Sequence, residues 1–475
     1  MDTAAADSDT TFDLVVIGGG PGGYGAALYA TSAGLRVALV ERAELGGTCL
    51  NRGCIPAKAF LETAAVHRHV AHSNEFGIES SDPVVNFGTT QARKQKIVDG
   101  IVKSLGGFMK SKKITILNGV GSLGPGRSVH VQLTDGGSTT ITGTNVILAA
   151  GSVPRTIPGF EVVPGGFVMT SDEVLMLDYL PARVAVIGGG AIGCEFASTF
   201  VDLGSAVTIL EGLPKILPGL DTDLANIVVR SFKKKKIDIK TGVNELGHTP
   251  NGNGGTTVHY GEGENLDVDV VIVSVGRRPY ADLLGLNGTG VKVTDRGFVE
   301  VDQYCRTGEP NVYAIGDLIN TPQLAHVGYA EAILVTKHAL GANPTPIRYD
   351  RVPWAIYCHP EVAWAGPSEE AAVAAGHDVV VAKHQFRSNS RAQILGELDG
   401  LVKIIAKRKT DGTAGQVLGV HMVGAWVTEQ LSGGYLAVNW EATVDEIAEF
   451  IQPHPSLTEL FGETVLSLTG RSLNA

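Results

Sequence analysis

Residues 13–41 read DLVVIGGGPGGYGAALYATSAGLRVALVE, and residues 183–211 read RVAVIGGGAIGCEFASTFVDLGSAVTILE. The second stretch repeats the pattern of the first, displaced by 170 positions and almost without gaps. Each copy opens with a short β-branched apolar run and passes through G-x-G-x-x-G. It continues as a helical stretch ending at Gly34 or Gly204, and closes on a second apolar run that ends in glutamate. The order is strand, tight turn, helix, strand, twice in one chain.

The turn chemistry explains the glycines. Gly18 and Gly188 allow the sharp reversal from strand to helix, Gly20 and Gly190 let a pyrophosphate approach the backbone, and Gly23 and Gly193 let helix pack on strand. The helix N-terminus then offers free N–H groups and a positive dipole end to phosphates. Glu41 and Glu211 each lie 23 residues after the first glycine of their copy, placed to accept hydrogen bonds from ribose hydroxyls. An acid at 211 repels a 2′-phosphate, which favours NAD over NADP. A lone glycine fingerprint is weak; two full copies with flanking strands and terminal acids predict an α/β chain with two Rossmann-like domains, each holding a dinucleotide.

Composition agrees with a folded, multidomain chain. Its 475 residues suffice for three or four cores, and 44% apolar against 18% charged residues excludes a disordered or fibrous protein. There is no apolar run of about 18 residues, so no membrane span is expected. The start, MDTAAADSDTTFD, lacks the basic and apolar parts of a secretory leader, so a cytoplasmic protein is expected. A net charge of −11 argues against nucleic acid as the main partner; Lys233 to Lys236 read as a solvated loop or helix face.

Further along, NVILAAGSVPR (145–155) and DVVIVSVGRRP (269–279) each run from an apolar strand into a glycine turn, as if leaving the two nucleotide domains. NVYAIGDLI (311–319) ends its strand at Gly316 and Asp317, where a carboxylate could take a polyol hydroxyl or merely cap a turn; the motif alone favours the cap. After about Asp350 no phosphate loop recurs, and strands alternate with helical stretches as in a separate α+β domain.

Five cysteines occur, at 49, 54, 194, 305 and 358, too few for a disulfide-stapled secreted scaffold. Cys49 and Cys54 lie close together in GGTCLNRGCIPAK (46–58). Five residues of regular helix advance about 7.5 Å, whereas a disulfide needs Cα atoms about 4.4–6.8 Å apart, so a bridge requires the irregular turn that Gly53 and Pro56 can supply. Such a staple would add only about 2 kcal/mol. Zinc needs about four N or S ligands, and no second cysteine pair or cysteine–histidine cluster is near in sequence. A redox pair is the favoured reading, with inert thiols and a metal site as alternatives.

GGTCLNRGCIPAK, the two fingerprints, AIGD at 314–317 and HPSLTE at 454–459, in that family's order from Phe12 to Leu473, resemble the pyridine nucleotide-disulfide oxidoreductases, and within them the lipoamide branch. The resemblance implies FAD on the first fingerprint, with Gly18, Gly20, Gly23, Glu41, Gly121, Gly151, Asp317, Ala325 and Lys58, and NAD on the second, with Gly188, Gly190, Gly193, Glu211, Val243 and Gly276. It divides the chain into an FAD-binding domain (1–154), an NAD-binding domain (155–279), a central domain completing the FAD site (280–349) and a C-terminal dimerisation domain (350–475).

The same resemblance implies the chemistry. Cys54 faces the flavin and Cys49 exchanges disulfide with substrate, Lys58 pairs with Glu195 beside the flavin, and His454, oriented by Glu459, serves as base. Pro455 suits a first helical turn, which sets His454 at a helix entrance. The His–Glu pair is expected to reach across a two-fold interface into the partner's site, making an obligate homodimer. The implied reaction oxidises a dihydrolipoyl group, carried on another protein of a 2-oxo acid dehydrogenase or glycine-cleavage system, and reduces NAD⁺. An NAD(P)H-driven reductase of another small disulfide is the near alternative. A non-catalytic scaffold subunit is a remote one, since both cysteines, Lys58 and His454 are kept. Arg52, Ala57, Gln452 and Pro453 depart from the family's usual residues around the substrate mouth, and GRSLNA (470–475) lacks the cysteine pair of the mercuric and large thioredoxin reductases.

Overall fold

The two glycine-bearing apolar runs are strands, Thr11–Ile17 and Arg183–Ile187, and the runs that close each repeat are strands Val37–Glu41 and Ala206–Glu211. Almost every residue in them is buried, as parallel strands covered on both faces must be. The computed structural model describes residues 10–244 and 246–473. Most of the acidic start read above, the first nine residues of the 1–154 domain and the last two of the 350–475 domain lie outside the described residues.

In the first sheet, Thr11–Ile17 lies between Val37–Glu41 and Ser138–Leu148, with Leu14 opposite Val37 and Ile17 opposite Leu148. Thr115–Leu123 adds beyond Val37–Glu41, and Val312–Ala314 adds beyond Ser138–Leu148. All these pairings are parallel; Ser128–Leu133 bridges two of the strands antiparallel. The strand from residue 312 therefore returns to a sheet begun 300 residues earlier, which carries the AIGD turn to the end of the first repeat.

The second sheet repeats this plan, with Arg183–Ile187 between Ala206–Glu211 and Val270–Val273, flanked by Asp238–Thr241 and Val168–Met169. In both repeats the helix after the glycines, Pro21–Ser32 or Ala191–Asp202, ends just before the glycine read as its stop. Gly34 and Gly204 have φ of +86° and +105°, a conformation that favours glycine. The segments leaving the two sheets, Ser152–Pro154 and Arg277–Pro279, pair antiparallel with each other, so the predicted chain crossings run side by side.

Beyond residue 350, a five-stranded antiparallel sheet forms in the order Trp354–Ile356, Glu361–Ala365, Ala414–Gly424, Leu401–Arg408, Val379–Gln385. Helices Val427–Asn439 and Glu459–Leu468 bury Leu431, Val438, Leu460 and Val465 in the same core as Val402, Ile404 and Val420 of the sheet. This is the α+β unit that the change of sequence texture announced. No helix among the described residues is long and apolar enough to cross a membrane.

Two local readings need correction. Lys235 is not a solvated member of KKKK: its ammonium lies 2.9 Å from Asp202, which also pairs with Arg68 at 2.6 Å, and its side chain is 16% exposed. The turn after helix Thr222–Lys234 rolls Lys235 inward, where burial lowers its affinity for a proton against the pull of Asp202. Likewise, Pro455 does not begin a helix. The His454–Pro455 bond is cis, and the helix starts only at Glu459.

Candidate active site

The glycine turns are built as their spacing requires. Gly18 and Gly188 have φ of +111° and +101°. A Cβ on Gly23 would lie 1.8 Å from the Gly18 carbonyl oxygen, and one on Gly193 would lie 2.0 Å from that of Gly188. By contrast, a Cβ on Gly20 meets only Gly47 Cα at 3.9 Å, and nothing lies within 4 Å of one on Gly190. Space is thus closed beneath each loop and open above it, where a pyrophosphate is expected.

Each terminal acid does more than the sequence reading assigned to it. Glu41 Oε2 accepts from the Gly19 N–H at 2.6 Å and Oε1 from the Ala43 N–H at 2.8 Å; Glu211 repeats this with Gly189 at 2.6 Å and Leu213 at 2.7 Å. A carboxylate offers about four acceptor positions, so each acid clamps its own loop with acceptor positions left over. Replacing Gly193 with alanine is expected to weaken NADH binding at least about tenfold, or 1.4 kcal/mol, while flavin content is retained; NADH titration checks it, and unchanged affinity would remove the second loop from the site.

A single cavity of about 1280 Å³ runs from the first loop to the second. That exceeds the roughly 300–1000 Å³ of an ordinary one-ligand pocket and suits two extended dinucleotides. All the cofactor residues expected from sequence border it except Gly23 and Gly193, which lie beneath the turns. Gly121 approaches Ile17 and Val40 so closely that a Cβ would lie 3.1 Å from either side chain, which keeps this wall thin. Asp317 is no turn cap: its Oδ2 accepts from Ser152 Oγ at 2.6 Å, and it borders the cavity.

The cysteine stretch meets this cavity at the first loop. Gly46 donates its N–H to the Gly19 carbonyl at 2.8 Å, and Gly47 packs against Gly20 so tightly that a Cβ on it would lie 2.7 Å from Gly20 Cα. Helix Gly47–Arg52 carries Cys49, and helix Cys54–Ala71 begins with Cys54 after a break at Gly53, whose φ and ψ are −148° and −112°. The break is the irregular turn that Gly53 was expected to supply. Both cysteines are thiols here. No cluster of three or more metal-binding side chains occurs among the described residues.

The thiols are unequal. A hydrogen bond from Cys49, opposed by burial and reinforced by the Lys58 ammonium, brings the Cys54 thiol down to about 7. The same contact, together with burial, pushes Cys49 far above the ordinary thiol range. Burial works against the Lys58 cation, but the Glu195 carboxylate outweighs it, and both Glu195 oxygens lie 2.8 Å from Nζ. The pair joins a helix of the first sheet's domain to a helix of the second's.

Sequence reasoning missed several groups around this junction. Glu195 also accepts from the Tyr357 N–H at 2.9 Å, and the Tyr357 ring lies 4.8 Å from Lys58 Nζ, a cation–π contact. Arg277 donates to Ser152 Oγ at 2.7 Å and to the Ser152 carbonyl at 2.9 Å, and approaches Thr48 Oγ1 at 3.5 Å. GRRP gave a signal for Arg277; the strand-edge amide of Tyr357 had none. Arg52 pairs with Glu44 at 2.7 Å on the exposed rim.

His454 and Glu459 do not border the cavity. His454 Nδ1 lies 2.8 Å from Glu459 Oε1, and the imidazole is 72% exposed. Glu459 Oε2 accepts the Ser456 N–H at 2.7 Å, so the acid fixes both the ring and the loop. Nδ1 is thus engaged, and Nε2 is the nitrogen available to take a proton.

Residues 12–332 match the family described as pyridine nucleotide-disulphide oxidoreductase, and residues 352–465 match its dimerisation domain. A dihydrolipoyl dehydrogenase of Bacillus subtilis is 39% identical over 477 residues, covering 98% of this chain and 99% of that one. A dihydrolipoamide dehydrogenase of Chaetomium thermophilum is 37% identical, covering 97% and 92%. Among solved structures, LpdA from Mycobacterium tuberculosis matches with a TM-score of 0.90 and 25% identity over 97% of this chain and 99% of that one. The HOCl-induced flavoprotein disulfide reductase RclA from Escherichia coli matches at 0.84 and 27% identity over 95% and 99%. With two glycine cradles on one cavity, a thiol pair between them and these matches along nearly its whole length, the chain belongs to the pyridine nucleotide-disulphide oxidoreductase family.

Proposed function

We propose that the protein oxidises dihydrolipoyl groups to lipoyl groups and reduces NAD⁺ to NADH and a proton, through FAD and the Cys49–Cys54 pair. The observation that carries this is the acidified Cys54 thiol beside the Lys58–Glu195 pair, on a cavity that also reaches the second glycine loop. The names of the similar proteins from Bacillus subtilis and Chaetomium thermophilum support the substrate. The domain limits read from sequence, 1–154, 155–279, 280–349 and 350–475, serve this reading, as do a homodimer, a lipoyl-bearing partner chain and a cytoplasmic setting.

Bound FAD supplies the two-electron chemistry that couples a dithiol to a nicotinamide. The chain's residues do the rest. With Cys49 and Cys54 joined as a disulfide, a substrate thiolate attacks Cys49 Sγ, forming a mixed disulfide and releasing Cys54 as thiolate. His454 of the partner subunit takes the proton of the second substrate thiol at Nε2, while Glu459 of the partner subunit holds the ring. The second thiolate then displaces Cys49, releasing the lipoyl disulfide. Lys58 would offset negative charge on a bound flavin, Glu195 offsets the burial of that cation, and Glu211 would hold the ribose hydroxyls of NAD.

A second reading, an NAD(P)H-driven reductase of another disulfide, draws on the likeness to RclA and on Arg52 at the cavity rim. One comparison separates the two: NAD⁺ reduction by dihydrolipoamide, run beside NADH- and NADPH-driven reduction of other disulfides. Rapid turnover of dihydrolipoamide is expected; negligible turnover alongside fast reduction of another disulfide would sink the lipoamide assignment.

A further inference from the structure

Glu331 lies on helix Ala325–Ala339, directly behind the Gly316–Leu318 turn that carries Asp317. It is fully buried. Its Oε2 accepts from the Gly316 N–H at 2.6 Å, and its Oε1 from the Thr321 hydroxyl at 2.8 Å and the Tyr349 hydroxyl at 3.0 Å. Among the described residues its hydrogen-bond partners are thus one amide and two hydroxyls, with no cation. A buried carboxylate without a counter-charge is costly to keep ionised, so its presence behind the turn calls for a role.

We propose that Glu331 is a positioning residue for the flavin, fixing the Gly316–Leu318 turn and setting behind it a negative charge that opposes the electron-rich reduced ring. This rests on the FAD reading above. The first link is geometric: the Glu331 carboxylate holds the amide of Gly316, and Gly316 and Asp317 both border the cavity. The second is electrostatic. The titratable groups facing Glu331 are Asp317 on the turn, Tyr349 on the short helix entering the C-terminal domain, and Cys305, whose sulfur lies 4.0 Å from the Tyr349 hydroxyl. Burial, reinforced by the Glu331 charge, keeps the Tyr349 phenol and the Cys305 thiol neutral.

Burial pushes the Glu331 carboxyl up to about 7, against the hydrogen bonds from Gly316, Thr321 and Tyr349. Adding electrons to a nearby ring raises a carboxyl's proton affinity further. Around neutrality, therefore, flavin reduction draws a proton onto Glu331, and the plot of potential against pH steepens there. Below that range Glu331 is neutral in both redox states and exerts no effect. Above it, the anion holds the potential down by a constant amount.

The test uses full-length holoprotein carrying Cys49→Ser and Cys54→Ser, so that the flavin is the one redox couple, equilibrated with reference dyes from pH 5.5 to 8.5. With Glu331→Gln added, the reduction equilibrium is expected to favour reduced flavin about tenfold more at the alkaline end, about 30 mV for two electrons. The two plots should converge at the acid end, and the bend near neutrality should vanish. Coincident plots, or plots separated equally at all pH, overturn the proposal while leaving the FAD reading intact; a wild-type protein that takes up no flavin overturns both. If Glu331→Gln does not retain flavin, Tyr349→Phe decides: losing one hydrogen bond to the anion should move the bend to higher pH, and an unmoved bend overturns the proposal.

Discussion

Replacing Cys54 with serine should lower dihydrolipoamide turnover by about 10⁴-fold or more, and so should replacing Cys49, because neither single thiol can form the disulfide that accepts the electrons. Equal losses would not distinguish the two roles, but their spectra should. In Cys49→Ser, Cys54 remains beside Lys58 and, on the proposed assignment, against the flavin. A long-wavelength absorbance band is then expected to grow as pH rises, with the serine hydroxyl taking over the hydrogen bond from Cys49 that, with the Lys58 ammonium, brings the Cys54 thiol down to about 7. The sign is fixed by the direction of the shift: a lowered thiol gives its thiolate above that pH, and the band fades below it. In Cys54→Ser the remaining thiol is, on the proposed assignment, the one turned to substrate and away from the flavin, and no band should appear. Bands of equal strength in both variants would overturn the assignment of the two ends.

His454→Gln should cost about 10²–10⁴-fold in turnover, the usual scale for a general base. The larger consequence concerns which chain supplies it. The His454–Glu459 unit does not border the cavity of its own chain, and its ring is largely exposed. If it serves the partner's thiols, two inactive proteins should restore each other. Mixing Cys54→Ser with His454→Gln subunits after dissociation gives heterodimers in which one site has both cysteines and the unmodified histidine. Random pairing should then recover about a quarter of wild-type activity. Recovery of nothing from mixtures that demonstrably contain heterodimers would place the base within a single chain.

Much of the fold was legible because the constraint was local. The glycine turns demand positive φ, close approach and open space at fixed spacing, and those demands are written in residue type at 18, 20 and 23 and again at 188, 190 and 193. The C-terminal unit was legible only as a change in texture, since antiparallel pairing such as Glu361–Ala365 with Ala414–Gly424 joins residues 55 to 63 positions apart and leaves no short-range pattern. HPSLTE misled in one respect: proline suits a helix start, yet here hydrogen bonds to Glu459 hold the loop open before the helix begins. Lys235 misled for a similar reason, because its partner Asp202, which it shares with Arg68, lies on another helix and no reading of KKKK alone could find it. Glu331 sits in a helical stretch where an acid would ordinarily face water; only the packing of Tyr349 and the returning AIGD turn against it shows otherwise.

The Glu195 carboxylate stands where three parts of the chain meet. It belongs to the helix of the second repeat, it holds the ammonium from the cysteine helix of the first, and it takes the amide of Tyr357 from the C-terminal unit. Swinging the nucleotide domains apart as rigid bodies would break charge-assisted hydrogen bonds worth about 1.5–3 kcal/mol each, and would carry the ammonium away from the sulfur it acidifies. One carboxylate thus ties the two nucleotide domains and the C-terminal unit together at the point where the thiol chemistry is set.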